Sequence, residues 1–334
     1  MYLLAIESSC DETSAAIIQN EKDVLSNVVS SQIETHKAFG GVFPEVASRL
    51  HVEQINLVIR KAVEDAGITF EDLGAIAFTQ GPGLIGSLHV GVMAAKSLAF
   101  ALDIPLVPVH HIAGHIYANK LVGDMVYPVL SLVISGGHTE LVYSKSEFEF
   151  EILGQTQDDA VGEAYDKVAR QLGLSYPGGP IIDKQAQLGK KNYILPKTKT
   201  ENPFDFSFSG LKSAVRQLTL REERHGRDLI IEDVAYAFQM RAVEQLMEKV
   251  NYALSVKEVK TFALAGGVAA NSLVRQSALD LEKQYPDMQV LIPPLWACMD
   301  QAAMIGLAGV IAYERGIRAN YDISAKSNIK LDVY

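Results

Sequence analysis

The chain has 334 residues, 48% of them hydrophobic and 21% charged, which is ordinary for a globular protein of about two domains. Its net charge of −10 means that a polyanion would need a local basic patch or a partner chain to bind. The two cysteines are too few for a disulfide framework. We predict no membrane span and no signal peptide, because the first apolar run ends at Glu7 without a basic flank. A cytoplasmic protein of mixed α and β structure is expected.

The first half of the chain predicts strands, glycine-rich or polar turns and helices in alternation. In order, it predicts strands at 3–7 and 14–19 around a polar turn, a helix at 44–66, a strand at 73–79, a glycine-rich turn at 80–87 and a helix at 90–102. The second half repeats this plan. It predicts strands at 129–134 and 140–143 around the turn 135–139, helices at 159–172 and 232–254, a strand at 259–265, a turn at 266–271, and helices at 272–283 and 300–314.

This repetition favours a duplicated α/β protein. Each half holds a hairpin with a polar turn and then a strand–glycine–helix unit. Two such lobes with facing glycine turns would form a nucleotide cleft. Glycine turns after strands are also common in α/β proteins in general, so the pattern alone leaves both interpretations open.

Three residues suggest a metal site. His111 and His115 are four residues apart at a predicted helix start, which places both imidazoles on one face. Asp300, a lone carboxylate before an apolar helix, is the candidate third ligand or an ordinary N-cap. Two histidines and a carboxylate suit iron or catalytic zinc. Ile112 follows His111, where the zinc-protease signature has glutamate.

Several turns and carboxylates could hold a nucleotide. The turn 135–139 exposes backbone N–H groups that can bind phosphate oxygens, and Gly266 and Gly267 precede a helix N-terminus. Asn271 could cap that helix or bind a ligand, and Asp166 and Asp183 could accept hydrogen bonds from ribose hydroxyls.

Two further segments carry chemistry-bearing side chains. Asp11 and Glu12 lie in the first hairpin turn, where carboxylates near phosphate make sense only beside a cation, a water or a nucleophile. The segment 204–213 alternates aromatic and polar residues and has basic side chains at Lys212 and, just beyond its end, at Arg216, so it could be an edge strand or a substrate-contacting loop.

Taken together, six motifs resemble the universal tRNA threonylcarbamoyladenosine transferase (TsaD) family, formerly labelled O-sialoglycoprotein endopeptidase or glycoprotease. They are AIESSCDETS (5–14), GGVFPEVASR (40–49), VHHIAGHIY (109–117), SGGHT (135–139), SFSGLK (207–212) and LAGGVAAN (264–271). The resemblance runs from about residue 2 to about 330 and favours the bacterial branch.

The resemblance implies a two-lobed actin-like (sugar kinase/Hsp70/actin) α/β fold around a nucleotide cleft. The expected divisions are an N-terminal lobe at 1–127, a C-terminal lobe at 128–299, and a C-terminal helix and tail at 300–334 packing back across the cleft. The implied reaction moves a threonylcarbamoyl group from threonylcarbamoyl-adenylate to N6 of adenosine 37 in tRNAs that read ANN codons, releasing AMP.

By the same resemblance, one divalent metal ion, with iron favoured and zinc possible, would be bound by His111, His115 and Asp300. An adenine nucleotide would be held by Val133, Ile134, Ser135, Gly136, Gly137, Asp166, Gly179, Asp183 and Asn271. Asp11 or Glu12 would orient or deprotonate the attacking amine.

The implied partners are tRNA, threonylcarbamoyl-adenylate, a degenerate actin-like paralogue (TsaB-type) and a small P-loop ATPase (TsaE-type), with no membrane. Because the acidic chain has no long basic run, we expect it not to modify tRNA alone. The alternatives are a non-catalytic actin-like scaffold, a metalloprotease and a kinase of the same fold. The scaffold could have lost the metal ligands, the protease lacks its glutamate, and the kinase would consume ATP on a hydroxylated substrate.

Overall fold

The computed structural model describes residues 1–333 and divides into two compact units. Of these residues, the first unit contains 1–124 and 296–333, and the second contains 125–295. The predicted lobe boundaries at 127 and 299 lie within a few residues of these. Residues 300–333, which belong to the segment 300–334 predicted as separate, are part of the first unit.

The first unit is built on a mixed five-stranded sheet in the order β3-β2-β1-β4-β5. Its strands are β1 (Tyr2–Glu7), β2 (Glu12–Gln19), β3 (Asp23–Ser31), β4 (Leu73–Gly81) and β5 (Leu106–His110). The central strand β1 runs antiparallel to β2 and parallel to β4. Its residues 3–6 are at most 1% exposed, as expected for a strand covered on both faces.

Helices cover both faces of this first sheet. They are α1 (Ile33–Lys37), α2 (Pro44–Asp65), α3 (Ile85–Leu102), α4 (His111–Tyr117) and α11 (Ala302–Glu314), with the short α10 (Leu295–Cys298) at the unit boundary. Leu4 and Ile6 pack in one core with residues of α2 and α3. Leu3 and Ala5, which point to the opposite face, lie under α11. The unit therefore has three layers, helix–sheet–helix.

Two glycines allow α11 to lie close against the sheet. A Cβ atom on Gly309 would lie 2.5 Å from Cβ of Ala77, and one on Gly306 would lie 2.3 Å from Cγ1 of Ile18. Ala77 is the more rigid neighbour, because its Cβ is fixed to strand β4. A side chain at Gly309 therefore has to push the helix away from the strand.

We expect Gly309→Ala to lower the free energy of unfolding by about 1–3 kcal/mol, because overpacking outweighs the helix propensity of alanine. Gly210→Ala is the matched control, since its Cβ would meet nothing closer than Thr198 Cγ2 at 3.4 Å. Chemical denaturation measures both variants. Equal stability of the two would show that the α11 contact is not tight.

We expected no segment long and apolar enough to span a membrane, but one helix meets both criteria. Helix α3 has 18 residues with a mean hydropathy of 1.5, which is sufficient for a span. In the structure one face of α3 carries Leu88, Val92 and Ala95 into the core of the first unit. Core helices pass the same test, so this single helix is weak evidence for a membrane.

The second unit repeats the first sheet strand for strand. Its strands are β6 (Val129–Ile134), β7 (Thr139–Ser146), β8 (Glu149–Gln155), β9 (Thr261–Ala265) and β10 (Gln289–Leu291). Read from β8, the order β8-β7-β6-β9-β10 matches that of the first sheet. The pairings also match, being antiparallel for β6–β7 and β7–β8 and parallel for β6–β9 and β9–β10. The predicted duplication is therefore confirmed in strand order and direction.

The helices of the second unit are inserted mainly between β8 and β9. They are α5 (Val161–Gln171), α6 (Gly178–Leu188), α7 (Ser209–Arg224) and α8 (Ile231–Val256), followed by α9 (Ser272–Gln284) after β9. In both units the predicted helices agree with the observed bounds to within a few residues, with one exception. Helix α3 of the first unit begins five residues earlier than expected. Residues 204–208 do not form an edge strand, because Phe206 makes only an isolated bridge to Thr156.

Candidate active site

The two predicted metal-binding histidines lie on one short helix of the first unit. Strand β5 ends at His110 and α4 begins at the next residue. Nδ1 of His110 accepts from the backbone N–H of Ile112 and so caps the helix, which leaves His111 and His115 for other contacts. Their ring centroids are 4.8 Å apart and the rings are nearly perpendicular.

Asp300 joins these histidines. Its Oδ1 lies 3.0 Å from Nε2 of His115 and 3.6 Å from Nε2 of His111. One donor atom from each of the three residues falls within 4.8 Å of the others. The N-cap interpretation of Asp300 was wrong, because the side chain of Gln301 caps α11 by accepting from the N–H of Met304 at 3.1 Å.

Glu7 holds the ring of His111 through the nitrogen on the side away from Asp300. Its Oε2 lies 3.1 Å from Nδ1 of His111, which leaves Nε2 directed to the side of Asp300. Thr79 Oγ1 donates to the same carboxylate at 2.6 Å, and Ser9 Oγ lies 3.2 Å from the same ring nitrogen. Metal-bound histidines commonly use a carboxylate in this way. Sequence reasoning missed Glu7, although a carboxylate ending an apolar strand was a usable signal.

The environment of the three residues fits a divalent cation. His115 is 1% exposed, and neither of its ring nitrogens makes a hydrogen bond of acceptable geometry to another described residue. Burial lowers the pKa of His111, but Asp300 and Glu7 outweigh it and raise the pKa to about 9. Burial opposes ionisation of Glu7, yet His111 holds the pKa of that carboxyl below its usual value. The carboxylates thus favour positive charge here, whether carried by a proton or by a metal.

The turn with the two predicted catalytic carboxylates belongs to the same unit. Asp11 and Glu12 are 8% and 7% exposed. Burial first, and then the charges of Asp11 and Asp300, raise the pKa of Glu12 to about 10. Glu12 therefore keeps its proton at neutral pH unless a cation is bound nearby.

Helix α2 holds this turn in place. His51, which is fully buried, has Nδ1 2.7 Å from Thr13 Oγ1 and Nε2 3.0 Å from the carbonyl oxygen of Cys10. On the other side, the N–H of Gln32 donates to the carbonyl of Asp11 at 3.0 Å. The carboxylates are thus presented by a fixed backbone rather than by a loose loop.

In the second unit, the turn after β6 provides open backbone. The N–H of Ser135 donates to the carbonyl of His138 at 2.8 Å, and Ser135 Oγ accepts from the N–H of His138 at 3.0 Å. A Cβ atom at Gly136 or Gly137 would meet no atom within 4 Å. By contrast, Val133 and Ile134 are fully buried within β6. Neither of these two predicted residues can offer a side chain to a ligand.

Asp166 and Gly179 meet at the start of α6. The N–H of Gly178 donates to Oδ1 of Asp166 at 2.7 Å. Burial raises the pKa of Asp166, against the opposing effect of the Gly178 and Gly179 amides. A Cβ at Gly179 would meet nothing within 4 Å, so this backbone is also accessible.

Asp183 and Asn271 meet at the start of α9. Asp183 accepts from the N–H of Ser272 at 3.0 Å, and Asn271 Oδ1 accepts from the N–H of Leu273 at 3.1 Å. Gln239, which sequence reasoning missed, bridges them by donating to Asp183 at 2.9 Å and accepting from Asn271 at 2.8 Å. Both interpretations of Asn271 remain compatible with this geometry, although its cap contact is already made.

Gly266 allows close packing of the backbone and does not leave open space for a ligand. Its φ is +88°, and a Cβ there would lie 2.4 Å from the carbonyl oxygen of Ile134. Only glycine allows β9 to leave the sheet so close to the end of β6. The residue thus fixes the backbone beside the 135–137 turn.

Comparison with solved structures defines the class of fold. HypF from T. kodakarensis superposes with a TM-score of 0.64 at 14% identity, over 95% of this chain and 48% of that one. Component A of the (R)-2-hydroxyglutaryl-CoA dehydratase of Acidaminococcus fermentans superposes with a TM-score of 0.56 at 16% identity, over 94% and 98%. With its duplicated mixed sheets, the chain has the actin-like α/β fold that was predicted.

Sequence comparison then gives the family. The family model for "tRNA N6-adenosine threonylcarbamoyltransferase" (TsaD) matches residues 23–307. The protein of that name from Bacillus subtilis strain 168 is 55% identical over all of this chain and 97% of its own length. That of Geobacillus kaustophilus is 52% identical over 99% and 97%. The chain belongs to the TsaD family, as the six motifs indicated.

Proposed function

We propose that this chain transfers the threonylcarbamoyl group from threonylcarbamoyl-adenylate to N6 of adenosine 37 in tRNAs that read ANN codons, releasing AMP. The observation that carries the proposal is the family match across the whole chain, combined with the convergence of His111, His115 and Asp300. A non-catalytic scaffold would have no reason to retain that convergence. A protease is not favoured, because the relatives are transferases and Ile112 stands where a general base would be.

A divalent metal, iron or zinc, would be held by His111, His115 and Asp300. When bound, it would supply Lewis-acid polarisation of phosphate or carbonyl oxygens. Glu7 keeps His111 in the ring orientation that presents Nε2 to the site. The buried imidazole of His115 makes no hydrogen bond of acceptable geometry among the described residues, and its Nε2 lies 3.0 Å from Oδ1 of Asp300, which supports a role as ligand.

The adenylate would be bound by the second unit. The backbone at Gly136, Gly137 and Gly179 has open space beside it for phosphate or ribose oxygens, although the N–H of Gly137 already donates to Ser135 Oγ at 3.3 Å. Asp166, Asp183 and Asn271 would act as acceptors and donors for the nucleoside while they fix the starts of α6 and α9. Val133 and Ile134 would contribute only through their backbone.

The attacking group, an exocyclic aromatic amine, is a weak nucleophile, so positioning and electrostatic stabilisation would carry most of the rate. Asp11 and Glu12 would be the carboxylates that orient it. Protonated Glu12 can donate a hydrogen bond but cannot take a proton, so Glu12 would act as the base only after a nearby cation lowers its pKa. Asp11 is the other candidate base.

The proposed context is a cytoplasmic assembly. A degenerate actin-like paralogue and a small P-loop ATPase would join this chain, and another enzyme would supply the adenylate. The test combines synthetic threonylcarbamoyl-adenylate, tRNA and this chain, with and without those partners, followed by mass spectrometry of tRNA nucleosides. Modified adenosine is expected only with all components. Its absence from the complete mixture would refute the proposed reaction.

Adenine nucleotide is expected to bind beside the 135–137 turn. Gly137→Leu should place a side chain in the open space above the 135–137 turn and remove the stabilisation by adenine nucleotide. In the unchanged protein that stabilisation is about 2.7 kcal/mol at a hundredfold excess over Kd. Thermal unfolding with and without AMP measures it. Gly210→Leu, at another exposed glycine of the second unit, should keep the full shift. A retained shift in Gly137→Leu would place the nucleotide elsewhere.

A further inference from the structure

Helix α7 presents an arginine-rich face to solvent. Its buried side carries Leu211, Val215, Leu218 and Glu222, spaced for one face of a helix that packs against α5 and α8. On its exposed side lie Arg216, Arg221 and Arg224. These arginines are separated in the sequence and form no run, which is why composition alone did not reveal them. Folding brings them onto one surface.

The positive charge of this face is largely uncompensated. Among the described residues, Arg216 and Arg224 have no ion-pair partner. Arg221 lies 3.2 Å from the neighbouring Glu222, but that carboxylate is also bound by Arg227 at 2.8 Å. The exposed acidic residue on this helix is Glu223. The chain as a whole has a net charge of −10, so this face is positively charged on a protein that is negative overall.

The face is connected to the proposed adenylate site through short contacts within the second unit. Asp158 accepts from the N–H groups of Phe208 and Ser209 at the start of α7, and Asp159 pairs with Lys212 at 2.8 Å. These two aspartates lie just before α5, which begins at Val161. There the N–H of Gly162 donates to the carbonyl of Ser135 at 3.2 Å, in the turn proposed to bind the adenylate.

We propose that the Arg216, Arg221 and Arg224 face of α7 binds the sugar–phosphate backbone of the tRNA substrate. This inference rests on the proposed function and adds the surface that the RNA would occupy. Arginine suits phosphate because its planar guanidinium donates two parallel hydrogen bonds. From Arg216 to Arg224 the helix rises about 12 Å at 1.5 Å per residue, which is enough to meet more than one phosphate of a strand.

Arg216→Gln combined with Arg224→Gln tests the surface, because glutamine keeps the helix propensity and removes the two unpaired charges. Lys145→Gln combined with Lys283→Gln is the control. It makes the same change in net charge at exposed positions of the second unit. Binding of unmodified tRNA to the complete assembly is measured at several salt concentrations, together with nucleoside formation and the thermal shift with AMP.

The arginine variant should bind tRNA about twentyfold more weakly near 0.1 M salt, with a salt dependence smaller by about two phosphate contacts. Its AMP shift should be unchanged, and the control should match wild type. Equal tRNA affinity in the two variants would overturn the surface while leaving the reaction intact. Unchanged tRNA affinity with loss of assembly would instead assign the face to an acidic protein partner and also overturn the proposal. Failure of the wild type to modify tRNA would refute the reaction itself, whatever the RNA affinities.

Discussion

Replacing both His111 and His115 with alanine is expected to abolish metal binding and to slow threonylcarbamoyl transfer at least about a thousandfold, equivalent to about 4 kcal/mol of transition-state stabilisation. Two of the three proposed ligands would be removed, and Asp300 alone cannot hold a cation against water. The purified wild-type chain should carry about one iron or zinc, a stoichiometry that suits a single cluster of three ligands. Elemental analysis and nucleoside mass spectrometry measure the two effects.

The variant should stay folded. His115 contributes no hydrogen bond of acceptable geometry among the described residues, so its truncation removes mainly packing. Glu7 loses His111 but keeps its hydrogen bond from Thr79. His89→Ala, at an exposed imidazole on α3, is the control and should retain metal and activity. Stoichiometric metal in the double variant would place the metal site elsewhere.

The sequence predicted most of the fold because the relevant signals are local. The apolar strand β1, the amphipathic α5 and the glycine after it each depend on neighbouring residues. The duplication followed from repeating those local units. The beginning of α3 was less predictable, because Ile85 and Gly86 follow a glycine-rich turn and only tertiary packing decides where the helix starts.

The site was predictable where its residues share one element and less so where they do not. The four-residue spacing of His111 and His115 on α4 predicts that both rings lie on one face. Asp300 comes from a distant segment, and the sequence also allowed it to be an N-cap. In the structure Gln301 caps α11 instead. Glu7 and Gln239 act through contacts with residues about 104 and 32 positions away. No period in the sequence encodes such pairs. In the sequence, Arg216 is notable only beside Lys212 in a segment predicted as a strand or loop, and its grouping with Arg221 and Arg224 follows from the helix α7.

Glu7→Gln is expected to weaken metal binding by about 10–100-fold. The carboxylate of Glu7 accepts from Nδ1 of His111, which fixes the ring and raises the electron density at Nε2. Glutamine has nearly the same shape and can still accept from Thr79, but it carries no charge and its amide can present a donor to the ring. Transfer activity measured without added metal should fall in parallel, and excess metal should restore most of it.

Asp233→Asn is the matched control, because Asp233 is also a buried carboxylate, is 4% exposed, and lies in the second unit. It accepts from the N–H of Lys190 and from Asn192, so its replacement should lower the melting temperature without changing metal affinity. Rescue of Glu7→Gln by metal separates orientation of a ligand from general damage to the fold, since an unfolded site would not respond. Wild-type metal affinity in Glu7→Gln would mean that Ser9, 3.2 Å from the same nitrogen, is sufficient to hold the ring.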